Sequence, residues 1–306
     1  MDQVLLSDGR IIRVLGNFDD DERFFGFNVY SPDSKGDREF RGVRYSKYKS
    51  ESTSGHTNVL DTCEVIGKYQ VVDFFDPVLT AQANSDSYNG TIWHELYTAL
   101  TSIFGVENIG LLGSALSGLH FDIEGKLKND VDFFIEGIEN VAVLEKRMKQ
   151  VREDIGFCDY EPAVLKVIYD ECAEVYSNPN NTLDKIIARR WSGMELPGKN
   201  PIRNTMRFRD KTITTPFDVL SRNVAHTNSK VRGVVSGAIG GNLFPRHFKL
   251  TTSDERTYDV YCLWWKISSP VRDGDDVEVC ADLLTIAGHD ALRIVDFKNH
   301  WLHIYT

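Results

Sequence analysis

Long apolar runs are missing from this chain: nowhere do eighteen apolar residues follow one another, which excludes a helix of membrane-spanning length. The opening MDQVLLSDGR has neither a basic start nor an apolar block, so no secretory leader is expected. Cysteine is sparse as well. Cys63, Cys158, Cys172, Cys262 and Cys280 lie far apart, form no C-x-x-C and make an odd total of five, which argues against a disulfide frame or a zinc ribbon. Reduced core thiols of a cytoplasmic protein are expected. Positive charge is also in short supply: the formal net charge is -10, unsuited to coating nucleic acid without regard to sequence. Internal repeats and low-complexity segments are absent.

What is present suits a globular chain of 306 residues, with 42% hydrophobic and 26% charged residues. Three stretches differ in pattern. Residues 4–75 alternate apolar and polar positions between Gly, Asp, Asn and Pro turn signals, as in RFFGFNVYSP, and predict a small antiparallel β module. After Pro77 the spacing turns helical. In SYNGTIWHELYTALTSIFG, Trp93, Leu96, Tyr97, Leu100 and Ile103 form one stripe and Gly105 a stop; ENVAVLEKRMKQVREDIG repeats the pattern with Val141, Leu144, Met148 and Val151. Further helices are expected in EPAVLKVIYDECAEVYSN and TLDKIIARRW. From Pro201 onward strand-like runs return and predict an antiparallel sheet or barrel, with Trp264, Trp265 and Trp301 in its core or as a base-stacking platform.

The local charge departs from the global one. Between Lys185 and Arg232 eleven basic residues face three acidic ones, a window able to hold phosphate or to form a solvated surface. His94, His120 and His247 show no metal-ligand spacing.

One stretch asks for chemistry. In GLLGSALSGLHFDIEGKLKNDVDFFIEG a short apolar strand runs into Gly113-Ser114, and a second strand opens with Asp130 and Asp132. Alternation in a strand turns those two carboxylates to one side, about 7 Å apart, where they repel unless a cation lies between them. A glycine before a helical turn lets the backbone approach a phosphate, and Ser114 adds a hydroxyl and an N–H.

The joint pattern, LLGSALSG followed by NDVDFFIEG, resembles the signature of the polymerase beta-type nucleotidyltransferase superfamily. It is most similar to a group of predicted nucleotidyltransferases with flanking β modules. The later ARRW and RDGDDVEVCADL are also similar to that group. Two features depart from the usual pattern: the spacer is slightly long, so that HFDIEGKLKN forms a larger loop, and Asn129 stands where many members carry Ser. The resemblance implies an α+β fold: an N-terminal β module (1–80), a nucleotidyltransferase core of mixed sheet and helices (81–222) and a C-terminal antiparallel β module (223–306). It implies two Mg²⁺ or Mn²⁺ ions held by Asp130, Asp132 and a third carboxylate from a later strand. Asp218 in TTPFDVL is the best local match, with Asp259 and Asp282 as competitors. Gly113 and Ser114 would grip the phosphates of an NTP, with Arg189 or Arg190 as further clamps. The implied activity is transfer of a nucleoside monophosphate to an acceptor hydroxyl on RNA, a protein or a small molecule, with pyrophosphate released. The rival expectation is a nucleotide- or RNA-binding protein that keeps the fold without turnover.

Overall fold

The computed structural model describes residues 2–48, 58–126, 130–160, 185, 193–198, 202–238, 243–263 and 271–305. The expected helix in EPAVLKVIYDECAEVYSN, that in TLDKIIARRW apart from Lys185, and with them Arg189, Arg190, Cys172, Trp264 and Trp265, lie outside the described residues. The architecture is mixed α+β, with three sheets that follow one another along the chain.

The first sheet holds β1 (Gln3–Leu6), β2 (Ile11–Val14), β3 (Arg23–Pro32), β4 (Arg38–Phe40), β5 (Val43–Lys47), β6 (Glu64–Gly67) and β7 (Val71–Phe75). Every pairing is antiparallel, in the order β4-β5-β3-β2-β1-β7, with β6 also on β3. The ends of this sheet curl towards each other into a half-barrel. Phe40 meets Phe75 edge to face at 5.6 Å, and Arg41 pairs with Asp73 at 2.6 Å. Between β5 and β6 the short α1 (Val59–Thr62) is capped by the Asn58 side chain and donates Val59 N–H to the Val295 carbonyl, just past a strand of the third sheet.

The middle layer begins with α2 (Pro77–Asn84), whose start is set by Asp76: its carboxylate accepts from Val78 and Leu79 N–H, and proline at the first position loses nothing there. In α3 (Ile92–Phe104) the expected stripe faces inward, with Trp93, Leu96 and Leu100 buried, and Gly105 ends the helix at φ 84°. Next come β8 (Ile109–Leu111), the single turn α4 (Gly113–Leu116), β9 (Asp130–Glu136), α5 (Glu139–Asp154), β10 (Gly193–Leu196) and β11 (Ile202–Arg209). The sheet order is β10-β11-β9-β8, with β8 antiparallel and β11 parallel to β9. Val131, Phe133 and Ile135 alternate onto one face of β9 and share a core with Leu96 and Leu100 of α3 and Leu144 and Met148 of α5.

The third sheet comprises β12 (His226–Ser236), β13 (Arg246–Thr251), β14 (Thr257–Cys262), β15 (Asp276–Ile286), β16 (His289–Ile294) and β17 (Trp301–Ile304). Its order is β12-β13-β14-β16-β15-β17, and a further pairing of β12 with β15 closes a barrel. The run RNTMRFR, inside the stretch 81–222 expected as core, is a strand of the middle sheet, where β11 pairs with β9, and not part of the antiparallel tail expected from Pro201. The C-terminal module is not wholly antiparallel, because β14 and β16 run parallel. Leu15 and Phe25, Leu112 and Phe134, and Tyr261 and Val295 pack in one shared cluster that joins the three sheets. Cys63, Cys158, Cys262 and Cys280 are free thiols, and no helix among the described residues is long and apolar enough to cross a membrane.

Candidate functional site

The Gly-Ser turn and the aspartate strand meet. Leu112 N–H donates to the Asp132 carbonyl at 3.1 Å, which ties the end of β8 to the start of β9. Gly113 follows with φ 63°, and a Cβ at that position would stand 2.7 Å from Asp132 Oδ2. The left-handed backbone favours glycine here, and any side chain would have to displace the Asp132 carboxylate that lies against it. Asp132 and Ser114 are half-buried and Gly113 is buried. Asp130 opens β9 two residues earlier, and only its backbone is described.

The N-terminal half-barrel covers this turn. Buried Gln3 donates from Nε2 to the Gly113 carbonyl at 2.8 Å. Arg38 donates to the Leu119 carbonyl at 3.1 Å, and Ile123 N–H to the Asp37 carbonyl at 3.0 Å. Arg13 of β2 is close enough to Asp132 for their charges to interact: burial holds its guanidinium below the ordinary arginine value, and Asp132 pulls the other way. Neither Gln3 nor Arg13 stands out in the sequence, since each lies in an ordinary alternating strand. Behind the turn, His120 packs against Tyr88 at 5.4 Å, Trp93 at 6.2 Å and Phe121 at 4.4 Å, and burial lowers its pKa to about 4.

The expected third carboxylates fall in three different places. Asp218 is exposed on a 3-10 turn, Phe217–Leu220, rather than on a strand. Val219 and Leu220 of that turn pack with Phe134 and Leu112, the neighbours of Asp132 and Gly113 along the chain, so the turn approaches the same face of β9. In β11 the register sets Arg203 beside Asp130 and Thr205 beside Asp132, and this strand carries no acidic residue. Asp282 is buried in a network with Arg293 at 2.8 Å and His300 at 3.3 Å; burial works to raise its pKa, but these two partners hold it below the ordinary carboxylate value. Asp259 pairs with His247 at 2.7 Å on the barrel.

At the opposite end of β9, Glu136 and β11 build a second charged cluster. Arg209 is buried over the Phe134 ring at 4.6 Å, bonds Glu136 at 2.9 Å, pairs with Asp2, and has Asp76 at 3.9 Å. Of the basic window, Arg209, Lys211, Arg222 and Arg232 are thus accounted for by ion pairs with Glu136, Asp76, Asp61 and Asp276. Comparison with known family models, with curated proteins and with solved structures finds no match.

Proposed function

We propose that the chain is a metal-dependent nucleotidyltransferase acting at Gly113, Ser114, Asp130 and Asp132, with NTP as donor and a hydroxyl of RNA, a protein or a small molecule as acceptor. The observation that carries this reading is the contact between the two motif halves: Asp132 Oδ2 occupies the space that any side chain at 113 would enter. A phosphate approaching the Gly113 backbone therefore arrives beside a carboxylate, an unfavourable pairing of anions unless a cation joins them. The middle sheet, with parallel and antiparallel pairs and helices packed on it, is compatible with the mixed-sheet core that the resemblance implies.

The donors present fit a hard divalent ion in kind: carboxylate oxygens, with Asp132 half-buried and Asp130 on the same strand. Mg²⁺ or Mn²⁺ bound there would lower the pKa of the attacking hydroxyl and neutralise charge on the phosphates. The chain's own part is positioning. Gln3 fixes the Gly113 carbonyl, which leaves the following N–H groups to face the phosphates, and Arg13 balances Asp132 before substrate arrives. Asp218, on its exposed turn, serves as the third carboxylate in this reading.

A second reading is favoured by one observation. The strand beside β9 has Thr205 and Arg203 at the register positions beside Asp132 and Asp130, where the resemblance implies a third carboxylate. On that basis the site holds nucleotide without turning it over. Incubation with each labelled NTP and Mg²⁺ or Mn²⁺ separates the two: label appearing on RNA, on protein or on a small acceptor supports transfer, and retention of unchanged NTP supports binding alone.

A further inference from the structure

A cavity of about 260 Å³ lies where the three sheets meet, remote from the Gly-Ser turn. It is bordered by Asn17 from the first module, Phe208 and Asp210 around the end of β11, and Phe244, His247 and Tyr261 from the barrel. Asp132 and Glu136 lie four residues apart on β9, about 13 Å at the rise of a strand, and Ile138, which also lines the cavity, follows the end of that strand. We infer that this cavity is a binding site for a neutral planar heterocycle of nucleoside size.

The size sets the first limit. At about 260 Å³ it falls below the range of pockets that take drug-sized ligands, so it suits a base with its sugar and not an extended molecule. The walls set the shape. Phe208, Phe244, Pro245 and Tyr261 contribute flat apolar surfaces, and His247 stacks on Tyr261 with ring centroids 4.8 Å apart and planes 18° from parallel. Such walls favour a flat ring over a sugar alone.

Polar groups along the cavity decide charge. Both ionic residues are already committed: Arg209 to Asp2 and Glu136, and Asp210 to the N–H groups of Ile138 and Thr212. The Asn17 amide donates to the carbonyls of Lys211 and Ile213 at 3.0 and 3.1 Å, strapping the loop after β11. Among the described residues that line the cavity, no uncompensated cation is left to draw in a phosphate. What remains are the hydroxyls of Thr214 and Thr215 and the imidazole of His247. Because Nε2 of His247 is 2.7 Å from Asp259 Oδ1, the ionised aspartate selects the tautomer that is protonated there, and Nδ1 is left as an acceptor for an N–H of the ring.

Placement in the barrel gives independent support. The order β12-β13-β14-β16-β15, closed by β12 with β15 and with β14 parallel to β16, is the connectivity of a five-stranded OB barrel. In such barrels ligands sit on the face of the second and third strands and under the loop that joins the first two. Here those strands carry His247 and Tyr261, and Gly237, Leu243 and Phe244 come from that loop. The outward residues of β13 and β14 include a single lysine, Lys249, set against Asp259, too little positive charge to follow a strand of phosphates.

This inference does not rest on the proposed transfer reaction. Isothermal titration of the full chain with adenosine, guanosine, cytidine and uridine, with ribose, and with the 5′-monophosphate of whichever nucleoside binds tests it. At least one nucleoside is expected to bind, and its monophosphate and ribose to bind more weakly. His247→Phe, which keeps the stack on Tyr261 and removes the acceptor, weakens binding about tenfold, the size of one lost hydrogen bond with a buried partner left unpaired. Thr214→Trp, at an exposed position on the rim, abolishes binding. The inference is overturned by no heat from any nucleoside, by equal binding of ribose or of the monophosphate, or by wild-type affinity in either the His247→Phe or the Thr214→Trp protein.

Discussion

Acid should weaken this fold through His120 before it reaches the carboxylates. His120 is buried against Tyr88, Trp93 and Phe121, and burial lowers its pKa from 6.5 to about 4. The folded chain therefore keeps it neutral over a range in which the unfolded chain has already taken up the proton. Where the unfolded state binds more protons, stability rises with pH, so it falls as pH drops from 6.5 and stops falling near 4. The slope is about 1.4 kcal/mol per pH unit and the total about 3 kcal/mol, a sizeable share of a typical stability of about 5–15 kcal/mol. Asp282, which His300 and Arg293 hold below the ordinary carboxylate value against the effect of burial, loses its contribution only at lower pH, so the two effects separate. The assay is urea unfolding from pH 7.5 to 4.5 for wild type and His120→Phe, read as the difference between the two curves. The variant keeps an aromatic ring in the cluster and cannot titrate, so its stability should change less by about 2.5 kcal/mol across that range. Nuclear magnetic resonance titration of the His120 ring gives the pKa directly. A value near 6.5, or equal acid sensitivity in the two proteins, would refute the reasoning.

Two further outcomes follow from the geometry. Gly113→Ala places a methyl group against Asp132 Oδ2 on a backbone with φ 63°, and should cost about 1–2 kcal/mol in thermal or urea unfolding; a neutral effect would mean that the turn relaxes freely. Arg209→Met removes the buried cation that the half-buried Asp2 and Glu136 share, and should lower stability by about 2–3 kcal/mol, because both carboxylates lose that partner. A loss below about 1 kcal/mol in urea unfolding would class the cluster with surface pairs.

Local pattern carried much of this fold. The apolar stripe of α3, its stop at Gly105 and the alternation of β9 each depend on residues within a few positions, and each appears where the spacing predicts it. Pairings across long stretches of chain were not legible. Nothing near Ile202 marks its strand as the parallel neighbour of β9, so the register that sets Thr205 beside Asp132 emerges only from the fold. Asp218 has the apolar flanks of a strand residue, yet Pro216 precedes it and the segment closes into a 3-10 turn. The parallel pairing of β14 with β16 is hidden for the same reason, since β15 lies between them in sequence. At the site, the Gly-Ser turn and the aspartate strand were visible because β8 and β9 are near neighbours along the chain. Gln3 and Arg13 were not, because they reach the turn from about a hundred residues away. The His247–Asp259 pair was hidden by hairpin register: Lys249 is the direct partner of Asp259, and the contact runs diagonally.

Two convergent carboxylates alone would repel, so replacing either with Asn would relieve the metal-free fold. Arg13 is close enough to change that balance: Asp132→Asn leaves a partly buried guanidinium with less compensation and should not stabilise the protein.

The most direct measurement of the central claim is pyrophosphate release from NTP and Mg²⁺ by wild type, Asp130→Asn and Asp132→Asn, each checked for native circular dichroism. Metal-dependent release by wild type, lost in both variants, is the predicted result. Release that persists in Asp132→Asn, or its absence from wild type with every NTP and either metal, would contradict the account.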